Sequence, residues 1–343
     1  MKKVLVLGGG GFIGSNIVRH LVARGDCNVV AADLSFPRGW DDLPNGSERF
    51  TFVAGDFTQR EIFDRLGGGF DEVYMMAAIV GVNRTLEEPE EVIRVNTLLT
   101  MNTLDWLKSN PVKRLLFASS SENYAGTFDS FGGQIPTSET IPLCISDVRH
   151  PRFTYAITKI HGESAFLVSA KPLNYECIIV RYQNIIGPNM GFRHAIPHIV
   201  QRLSENPQSP FKVYGSDQTR AFCYISDAVA GTVAAMECYD KQGEIYHVGN
   251  DVEITMDELT QEIGRLMGYQ GDYVEAMTYP GSVGRRCPDI SKCRAQLGYI
   301  PQVHWKQGLE KTVAWYRDYF SSGAKPTSGG FAPPENFLPA GQK

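Results

Sequence analysis

The stretch from Lys2 to Arg19, KKVLVLGGGGFIGSNIVR, constrains the fold of this chain more than any other. A short run rich in Val and Leu is followed by four glycines and then by apolar residues at helical spacing, which predicts a strand, a tight turn and a helix. The backbone N–H groups at the start of such a helix can bind a pyrophosphate, with Gly8 allowing the turn, Gly11 the close approach and Gly14 the helix packing. The spacing G-x-x-G-x-x-G departs from the standard G-x-G-x-x-G fingerprint, so a turn without a ligand stays an alternative on this stretch alone.

The composition is that of a globular protein and argues against several functions. Of 343 residues, 43% are hydrophobic and 21% are charged, which suits one large or two modest domains. The net charge of −5 gives no basic field for nucleic acid. Seven cysteines without C-x-x-C spacing favour free thiols in a reducing, cytoplasmic compartment over disulfides or zinc. We expect no membrane span, because no apolar run reaches about 18 residues, and no secretory signal precedes the first strand.

A second apolar run, Asn28 to Leu34, predicts a buried strand that carries an acid at its end. Asp33 lies 19 residues after Gly14, where a carboxylate can accept hydrogen bonds from both hydroxyls of an adenosine ribose. The same carboxylate would repel a 2′-phosphate, which favours NAD over NADP, although Arg38 leaves NADP open. A helix-capping or turn aspartate is the structural alternative.

Three more strands are predicted at Arg49 to Ala54, Glu72 to Ala77 and Arg114 to Ala118, with helical patterns between them. This alternation predicts an α/β fold, a parallel sheet with helices on both faces, whose ligands lie at the carboxyl edge of the strands. Candidate residues follow the strands at that edge: Asp56 and Phe57, then Ala77 and Ala78, then Ser119, Ser120, Ser121 and Glu122. Asn96, within the helical pattern of Glu87 to Leu107, is expected to hydrogen-bond a neighbouring loop rather than to take part in catalysis.

Tyr155 and Lys159 stand four residues apart in a predicted helix that opens near Pro151, so they share one helix face. An ammonium beside a phenol favours the phenolate and lowers a pKa that starts near ~10. Tyr155 is therefore a candidate general base toward a substrate hydroxyl. The pattern Y-x-x-x-K is common by chance, but behind a glycine-rich fingerprint and a strand-end serine it is specific.

Taken in order, these segments resemble the extended short-chain dehydrogenase/reductases, specifically the NAD-dependent nucleotide-sugar epimerase/dehydratase family. The resemblance spans roughly residues 2 to 320 and is carried by GGGGFIG (8–14), Asp33, FASSSENY (117–124), YAITK (155–159), RYQNIIGP (181–188), YGSDQTRAFCYISDAV (214–229) and RRCPDIS (285–291). It implies a Rossmann-type doubly wound sheet in residues 1–180, with the catalytic helix at 155–170. It also implies a smaller C-terminal α/β substrate domain in 181–320, with some segments returning to the core, and a Gly- and Pro-rich tail over 321–343.

The resemblance implies that Ser120, Tyr155 and Lys159 form the catalytic trio. Tyr155 would take the proton of the sugar C4 hydroxyl as hydride moves to NAD, and Ser120 would hydrogen-bond that hydroxyl. Lys159 would hold the nicotinamide ribose and lower the tyrosine pKa. NAD would return the hydride, so there is no net oxidation. The implied NAD site comprises Gly8, Gly11, Phe12, Ile13, Gly14, Asp33, Asp56, Phe57, Ala77, Ala78 and Asn96, together with Tyr155 and Lys159.

The resemblance further implies a nucleotide-diphosphate sugar as substrate and a homodimer joined through the two long helices around residues 90–108 and 155–170. Arg220 and Arg286 resemble the arginines that clamp the diphosphate, a task that a guanidinium fork suits, although Arg285 could replace Arg286. Further substrate contacts are expected from Ser121, Asn184, Arg193, Val213 and Tyr214. For Arg193, a solvated loop position is the alternative.

Glu122 bears on which reaction of the family is catalysed. The stretch from Ser120 to Tyr124 is similar to the Thr-Ser-Glu-x-Tyr of GDP-mannose 4,6-dehydratases and UDP-glucuronate decarboxylases, whereas simple 4-epimerases usually carry a small residue at this position. Ser121 stands where dTDP-glucose dehydratases have an aspartate. We therefore expect a dehydratase or decarboxylase that uses Glu122 as an acid or base. An epimerase and a catalytically silent NAD-binding protein are the alternatives, and for Glu122 itself an acid in a first helical turn is the structural one.

Overall fold

The structure is a computed structural model that describes residues 1–36, 40, 43, 45–205, 207, 209–278 and 283–322. Arg38 and nearly all of the predicted tail 321–343 lie outside the described residues. The strands are β1 Lys2–Leu7, β2 Cys27–Asp33, β3 Phe50–Ala54, β4 Glu72–Met75, β5 Arg114–Ser120, β6 Glu176–Tyr182, β7 Ile185–Ile186, β8 Phe211–Tyr214, β9 Thr219–Ala221, β10 Cys223–Tyr224, β11 Glu244–Val248, β12 Glu253–Thr255, β13 Tyr273–Ala276 and β14 Arg285–Arg286.

The α-helices are α1 Phe12–Arg24, α2 Val82–Glu87, α3 Pro89–Ser109, α4 Ala125–Phe131, α5 Thr154–Leu173, α6 Ala195–Glu205, α7 Ile225–Glu237, α8 Met256–Met267, α9 Ser291–Leu297 and α10 Trp305–Ser321. Short 3₁₀ helices cover Arg60–Leu66, Ser121–Tyr124 and Pro151–Phe153. Among the described residues, no helix is both long and apolar enough to cross a bilayer.

Seven of the strands form one parallel sheet in the order β11-β6-β5-β4-β1-β2-β3. The alternation of side chains along β1 explains why helices cover both faces. Val4 and Val6 are buried in a core shared with α1, α7 and α9, whereas Leu5 and Leu7 are buried in a core shared with α3 and α5. The parallel α/β sheet predicted from the strand and helix alternation is confirmed.

The second half of the chain contributes to two different cores. α6, α8 and α10 surround a third apolar cluster with β8, and three small sheets, β12-β9-β14, β13-β8 and β10-β7, lie in the same half. In contrast, β11 pairs with β6 and completes the central sheet. The sequence pattern did not identify β11, and the domain boundary at residue 180 stays a prediction.

Three local predictions differ from the structure. The segment 127–152 is rich in Pro, Gly, Ser and acidic residues, which predicts a loop. Instead it begins inside α4, whose Gly126 packs so closely on Cys144 that an added Cβ would lie 2.0 Å from the Cys144 carbonyl oxygen. The run from Met190 to Val200 predicts a helix. That helix begins only at Ala195, because Gly191 adopts a left-handed φ of 93° that a helix cannot continue through. The strand predicted to reach Ala77 ends at Met75.

Candidate active site

The glycine turn between β1 and α1 is packed tightly at two positions and open at a third. A Cβ added to Gly8, whose φ is 81°, would lie 2.4 Å from the Ala77 nitrogen, and one added to Gly14 would lie 2.1 Å from the Gly8 oxygen. A Cβ at Gly11 would meet only the Gly8 oxygen, at 3.4 Å. Because the N-cap residue Gly11 has no side chain, no N-cap side chain accepts from the first N–H groups of α1. The turn therefore fits the pyrophosphate of NAD, which the α1 N-terminus would hold beside Ala77.

Asp33 is the last residue of β2, and its carboxylate hydrogen-bonds the glycine turn. Its two carboxylate oxygens accept hydrogen bonds from the Gly10 N–H at 2.9 Å and from the Leu34 N–H at 2.7 Å. Burial raises the pKa of the Asp33 carboxyl, and these N–H groups act in the opposite direction. A carboxylate that is already fixed to the turn is well oriented for a ribose, and its contact with the ribose hydroxyls stays a prediction.

The next two strands position the other residues predicted around NAD. Asp56 forms a local turn by accepting from the Thr58 N–H at 3.0 Å and the Thr58 hydroxyl at 2.7 Å, and Phe57 is buried against Phe63. Phe12 and Ile13 open α1 and pack against the core of the sheet. The adenine contact of Asp56 and the cofactor contacts of Phe57, Phe12, Ile13 and Ala78 stay predictions.

Asn96 ties the loop after β4 to the helix α5. Its side chain accepts from the Ile79 N–H at 2.7 Å and donates to the Ile79 carbonyl at 3.1 Å. The same amide nitrogen donates to the Thr158 hydroxyl at 3.2 Å. The hydrogen bond to a neighbouring loop is as predicted, whereas a direct contact of Asn96 with NAD stays a prediction.

The end of β5 and the start of α5 bring the predicted catalytic trio together. The Ser120 hydroxyl hydrogen-bonds the Tyr155 phenol, and the Lys159 ammonium donates to the Ala118 carbonyl at 2.6 Å. Lys159 is only 3% exposed, and burial lowers its pKa to about 7, against the opposing charge of Glu163.

The expected lowering of the Tyr155 pKa by Lys159 is wrong for the protein alone. Burial raises the pKa of the phenol, the Glu122 charge raises it further, and only the Ser120 hydrogen bond acts in the other direction. The reason is the direction of the ammonium, which is bonded to the Ala118 carbonyl and lies 5.6 Å from the centre of the Tyr155 ring.

Glu122 is paired with Arg286. The Arg286 Nη1 donates to Glu122 Oε1 at 2.5 Å, and the two side chains are 13% and 22% exposed. Burial acts to raise the Glu122 pKa, but the charge and hydrogen bond of Arg286 outweigh it and hold the pKa below its ordinary value. Arg152 and Arg220 lower this pKa further. Glu122 is thus an ionised carboxylate at neutral pH, which suits a base and does not suit an acid.

The register of β9 and β14 explains which arginines face Glu122. Arg220 and Arg286 are direct partners on these parallel strands, so their side chains share a face. Arg285 alternates to the other face, where its exposed side chain pairs with Glu253 at 2.6 Å. Between the two candidates, Arg286 and not Arg285 therefore joins Arg220. Burial lowers the Arg220 pKa to about 10, with Arg286 adding to the effect.

The remaining predicted substrate residues occupy different surroundings. Ser121 is buried in the turn that carries Glu122, and Asn184, with a φ of 40°, donates to the Ala221 carbonyl at 3.2 Å. Arg193 pairs with Glu87 at the end of α2, at 3.1 Å. Val213 is buried and Tyr214 is exposed on β8. Their contacts with a substrate stay predictions.

Arg152 was missed as a site residue. Its side chain is 12% exposed and its charge reaches Glu122, as does that of Arg220. The available signal was its position three residues before Tyr155, just ahead of the helix predicted to be catalytic.

Comparison with known proteins decides the family. The profile of the NAD dependent epimerase/dehydratase family matches residues 4–249, well over half of the chain. The chain belongs to this family. The family, the Rossmann-type fold, the enzymatic nature and the NAD cofactor that the sequence predicts are thereby confirmed.

Individual family members span several reactions. The chain is 31% identical to a UDP-N-acetyl-alpha-D-glucosaminuronate decarboxylase of Bacillus cytotoxicus, over 92% of this chain and 98% of that protein. It is 30% identical to a dTDP-glucose 4,6-dehydratase of an Actinoplanes species, over 92% and 98%. Similar solved structures include the dTDP-glucose 4,6-dehydratase DesIV of Streptomyces venezuelae with NAD bound, with a TM-score of 0.80 and 27% identity over 94% of this chain and 99% of that one. A UDP-glucuronic acid 4-epimerase of Bacillus cereus with UDP-glucuronic acid and NAD matches with a TM-score of 0.78 and 26% identity, over 92% and 99%.

Proposed function

We propose that this enzyme decarboxylates a uronic acid linked to a nucleoside diphosphate, through transient oxidation of the sugar at C4. The observation that carries the proposal is the charge around Glu122, where one ionised carboxylate is under the influence of Arg286, Arg220 and Arg152. This excess of positive charge suits a substrate that brings a diphosphate and a sugar carboxylate. The 31% identical decarboxylase of Bacillus cytotoxicus supports the same reaction.

In the first step, Tyr155 takes the proton of the C4 hydroxyl, which requires the phenolate form. The positive charge of a bound oxidised nicotinamide would lower the phenol pKa that burial raises in the protein alone. The Ser120 hydroxyl, which bonds the phenol, orients it and stabilises the developing C4 oxygen. When bound, NAD would supply the hydride acceptor for C4 and the hydride for the final reduction. Lys159 shares a helix face with Tyr155 and, with a pKa of about 7, can exchange a proton near neutral pH.

In the second step, the C4 ketone makes the C5 carboxylate a leaving group. The bond between C5 and the carboxyl carbon breaks, its electron pair moves into the C4–C5 bond as an enolate, and carbon dioxide departs without needing a proton. C5 then takes a proton from solvent. Arg286 is placed in this scheme to hold the departing carboxylate, with Glu122 orienting its guanidinium.

Water elimination is the less suited outcome. Loss of a C6 hydroxyl requires a proton donor at the leaving oxygen, and the candidates that follow Ser120 in the sequence are Ser121 and Glu122. Ser121 has no acidic proton at neutral pH, and Glu122 is held ionised. Decarboxylation needs no such donor, which is why the proposal prefers it to dehydration.

The test is a product analysis. The purified enzyme with NAD is incubated with glucuronate and with glucose, each linked to UDP, dTDP, GDP or CDP, and the products are read by mass spectrometry and NMR. Loss of carbon dioxide from a uronate is expected. Loss of water from a neutral sugar, or unchanged mass with inverted C4, would overturn the proposal. Arg286→Gln should suppress carbon dioxide release, whereas the matched control Arg285→Gln on the same strand should not.

We also infer a homodimer formed through α3 and α5. Three apolar side chains are exposed on these adjacent helices, Ile93 at 40%, Met101 at 44% and Val168 at 68%. A second copy of the same surface would remove them from water. Sedimentation should give the dimer mass for the parent, and Met101→Glu with Val168→Glu should give the monomer mass.

We place the enzyme in the cytoplasm. All seven cysteines lie among the described residues as free thiols, the state that a reducing compartment maintains. Fractionation of the producing cells, followed by immunodetection, tests this location.

A further inference from the structure

A buried chain of hydrogen bonds connects the two chain segments on which Glu122 and Arg286 stand. It starts at Glu163 on α5, whose two carboxylate oxygens accept from the Arg181 guanidinium at 2.8 and 2.6 Å. The Arg181 Nη1 also donates to the Tyr124 hydroxyl at 2.5 Å. The Tyr124 hydroxyl lies 2.7 Å from the His247 Nε2, and the His247 Nδ1 lies 3.0 Å from the Asp289 carbonyl oxygen.

The chemistry of these groups fixes the direction of every hydrogen bond. A backbone carbonyl can only accept, so the His247 Nδ1 carries the proton toward Asp289 and its Nε2 is left as an acceptor. Tyr124 therefore donates its hydroxyl proton to Nε2 and accepts from Arg181. Burial lowers the His247 pKa to about 4, which keeps the imidazole neutral. Tyr124 is 2% exposed and His247 is fully buried.

The chain joins the two segments that carry the ion pair. Tyr124 belongs to the 3₁₀ turn Ser121–Tyr124, two residues after Glu122. Asp289 stands three residues after Arg286. The same segment is further held by Thr137, whose N–H donates to the Cys287 carbonyl at 2.9 Å and whose carbonyl accepts from the Asp289 N–H at 2.7 Å.

The trio has further contacts of its own on β5 and α5. Ser120 and Lys159 are connected through β5 and α5, where Lys159 bonds the Ala118 carbonyl and Ser120 bonds Tyr155. Neither contact passes through the His247 imidazole. The trio meets the turn at its first end, where the Ser120 hydroxyl accepts from the Glu122 N–H at 3.2 Å. Tyr124 lies at the last residue of the turn, where its hydroxyl reaches His247. We therefore expect a change at Tyr124 or His247 to loosen the turn against the Arg286 segment more than it disturbs the contacts of the first step.

We infer that Tyr124 and His247 are positioning residues for the second step, because they set the Glu122 turn in register with the Arg286 segment. The inference rests on the proposed two-step function. In this view the buried hydrogen-bond chain aligns the Arg286 guanidinium, which holds the departing carboxylate. The chain has no part in removing the proton at C4.

The first test compares Tyr124→Phe with Tyr246→Phe. Tyr246 is the matched control, since it precedes His247 on β11 and is also buried. Its hydroxyl donates to the Gln296 side chain at 2.8 Å and not to His247. In single turnovers with a nucleotide-linked uronate, Tyr124→Phe should accumulate the reduced cofactor, seen by its near-ultraviolet absorbance. Release of carbon dioxide should slow roughly ten- to hundredfold, the scale that a misplacement of about 1 Å produces. KM should change little, and Tyr246→Phe should follow the parent in both signals.

The second test asks whether the two residues act as one unit. His247→Phe should reproduce the Tyr124→Phe phenotype, and the double variant should be no slower than the slower single variant. His247→Gln keeps a donor and an acceptor and should retain more of the second step than His247→Phe. Thermal unfolding of every variant, recorded alongside, separates loss of fold from loss of alignment.

Two results would overturn the inference. One is equal slowing of cofactor reduction and of carbon dioxide release in Tyr124→Phe; the other is a lowered unfolding temperature with unchanged rates. Failure of the proposed function is a different result, because it shows in the product of the parent enzyme. If the parent released water or an epimer, the rate of cofactor reduction would still be compared with the rate at which that product forms.

Discussion

Replacing Lys159 by methionine should change how the stability of the protein depends on pH. Lys159 is 3% exposed, and burial lowers its pKa from the ordinary value of 10.5 to about 7. The unfolded chain therefore binds one proton more than the folded chain between these two values. Stability of the parent rises with pH in that window, since a group with a lowered basic pKa destabilises the fold while the unfolded form stays charged.

The magnitude follows from the two pKa values. Their difference corresponds to about 5 kcal/mol, lost in full below about pH 7 and recovered as pH rises through 10.5. The uncharged methionine side chain of the variant has no such cost, but it leaves the Ala118 carbonyl without its donor, which offsets about 1–3 kcal/mol. The net gain of Lys159→Met near neutral pH is therefore about 2–4 kcal/mol.

The assay is equilibrium urea unfolding of the parent, Lys159→Met and the control Lys171→Met, which alters an exposed lysine on the same helix. Between about pH 7.5 and 9.5, the free energy of unfolding of the parent should gain on that of Lys159→Met by about 1.4 kcal/mol per pH unit. Lys171→Met should run parallel to the parent. Parallel curves for the parent and Lys159→Met would refute the reasoning, because they would mean that Lys159 is charged in the folded state.

Three further predictions concern the cofactor site and the base. Gly11→Ala should keep the parental unfolding temperature, because its Cβ has room in the protein, but it should lose NAD binding in calorimetry, because that Cβ would block the approach of the pyrophosphate. Gly14→Ala should instead lower the unfolding temperature, because its Cβ would lie 2.1 Å from the Gly8 oxygen. Tyr155→Phe should slow turnover by roughly 10²–10⁴, and a variant that turned over at the parental rate would show that Tyr155 is not the base. Asp33→Asn should narrow the preference for NAD over NADP, measured by titrating both cofactors, since it removes the charge that repels a 2′-phosphate.

The sequence predicts well those parts of the site that depend on local pattern. The strand, turn and helix from Lys2 onward and the pairing of Tyr155 with Lys159 on one helix face need only periodicity and spacing. The strand that ends in Ser120 was likewise visible as an apolar run. The resemblance then assigned the family, because these local patterns occur in a fixed order.

The rest depends on contacts between distant segments. The choice of Arg286 over Arg285 follows from β14, a strand of only two residues whose register no periodicity can reveal. The contact between Tyr124 and His247 joins residues 123 positions apart. The pKa values of Lys159 and Tyr155 depend on burial and on the charges of Glu163 and Glu122, which the spacing of a tyrosine and a lysine does not contain.

The strand β11 restricts how this enzyme can be recombined with its relatives. A chimera that kept residues 1–180 and took a foreign second half would replace an outer strand of its own central sheet along with the predicted specificity elements. It would also exchange His247, and with it the bridge to the turn that carries Glu122. A chimera meant to transfer substrate specificity must therefore keep the parental residues 244–248. The foreign sequence has to enter as two separate inserts, one before and one after β11, and not as one continuous half.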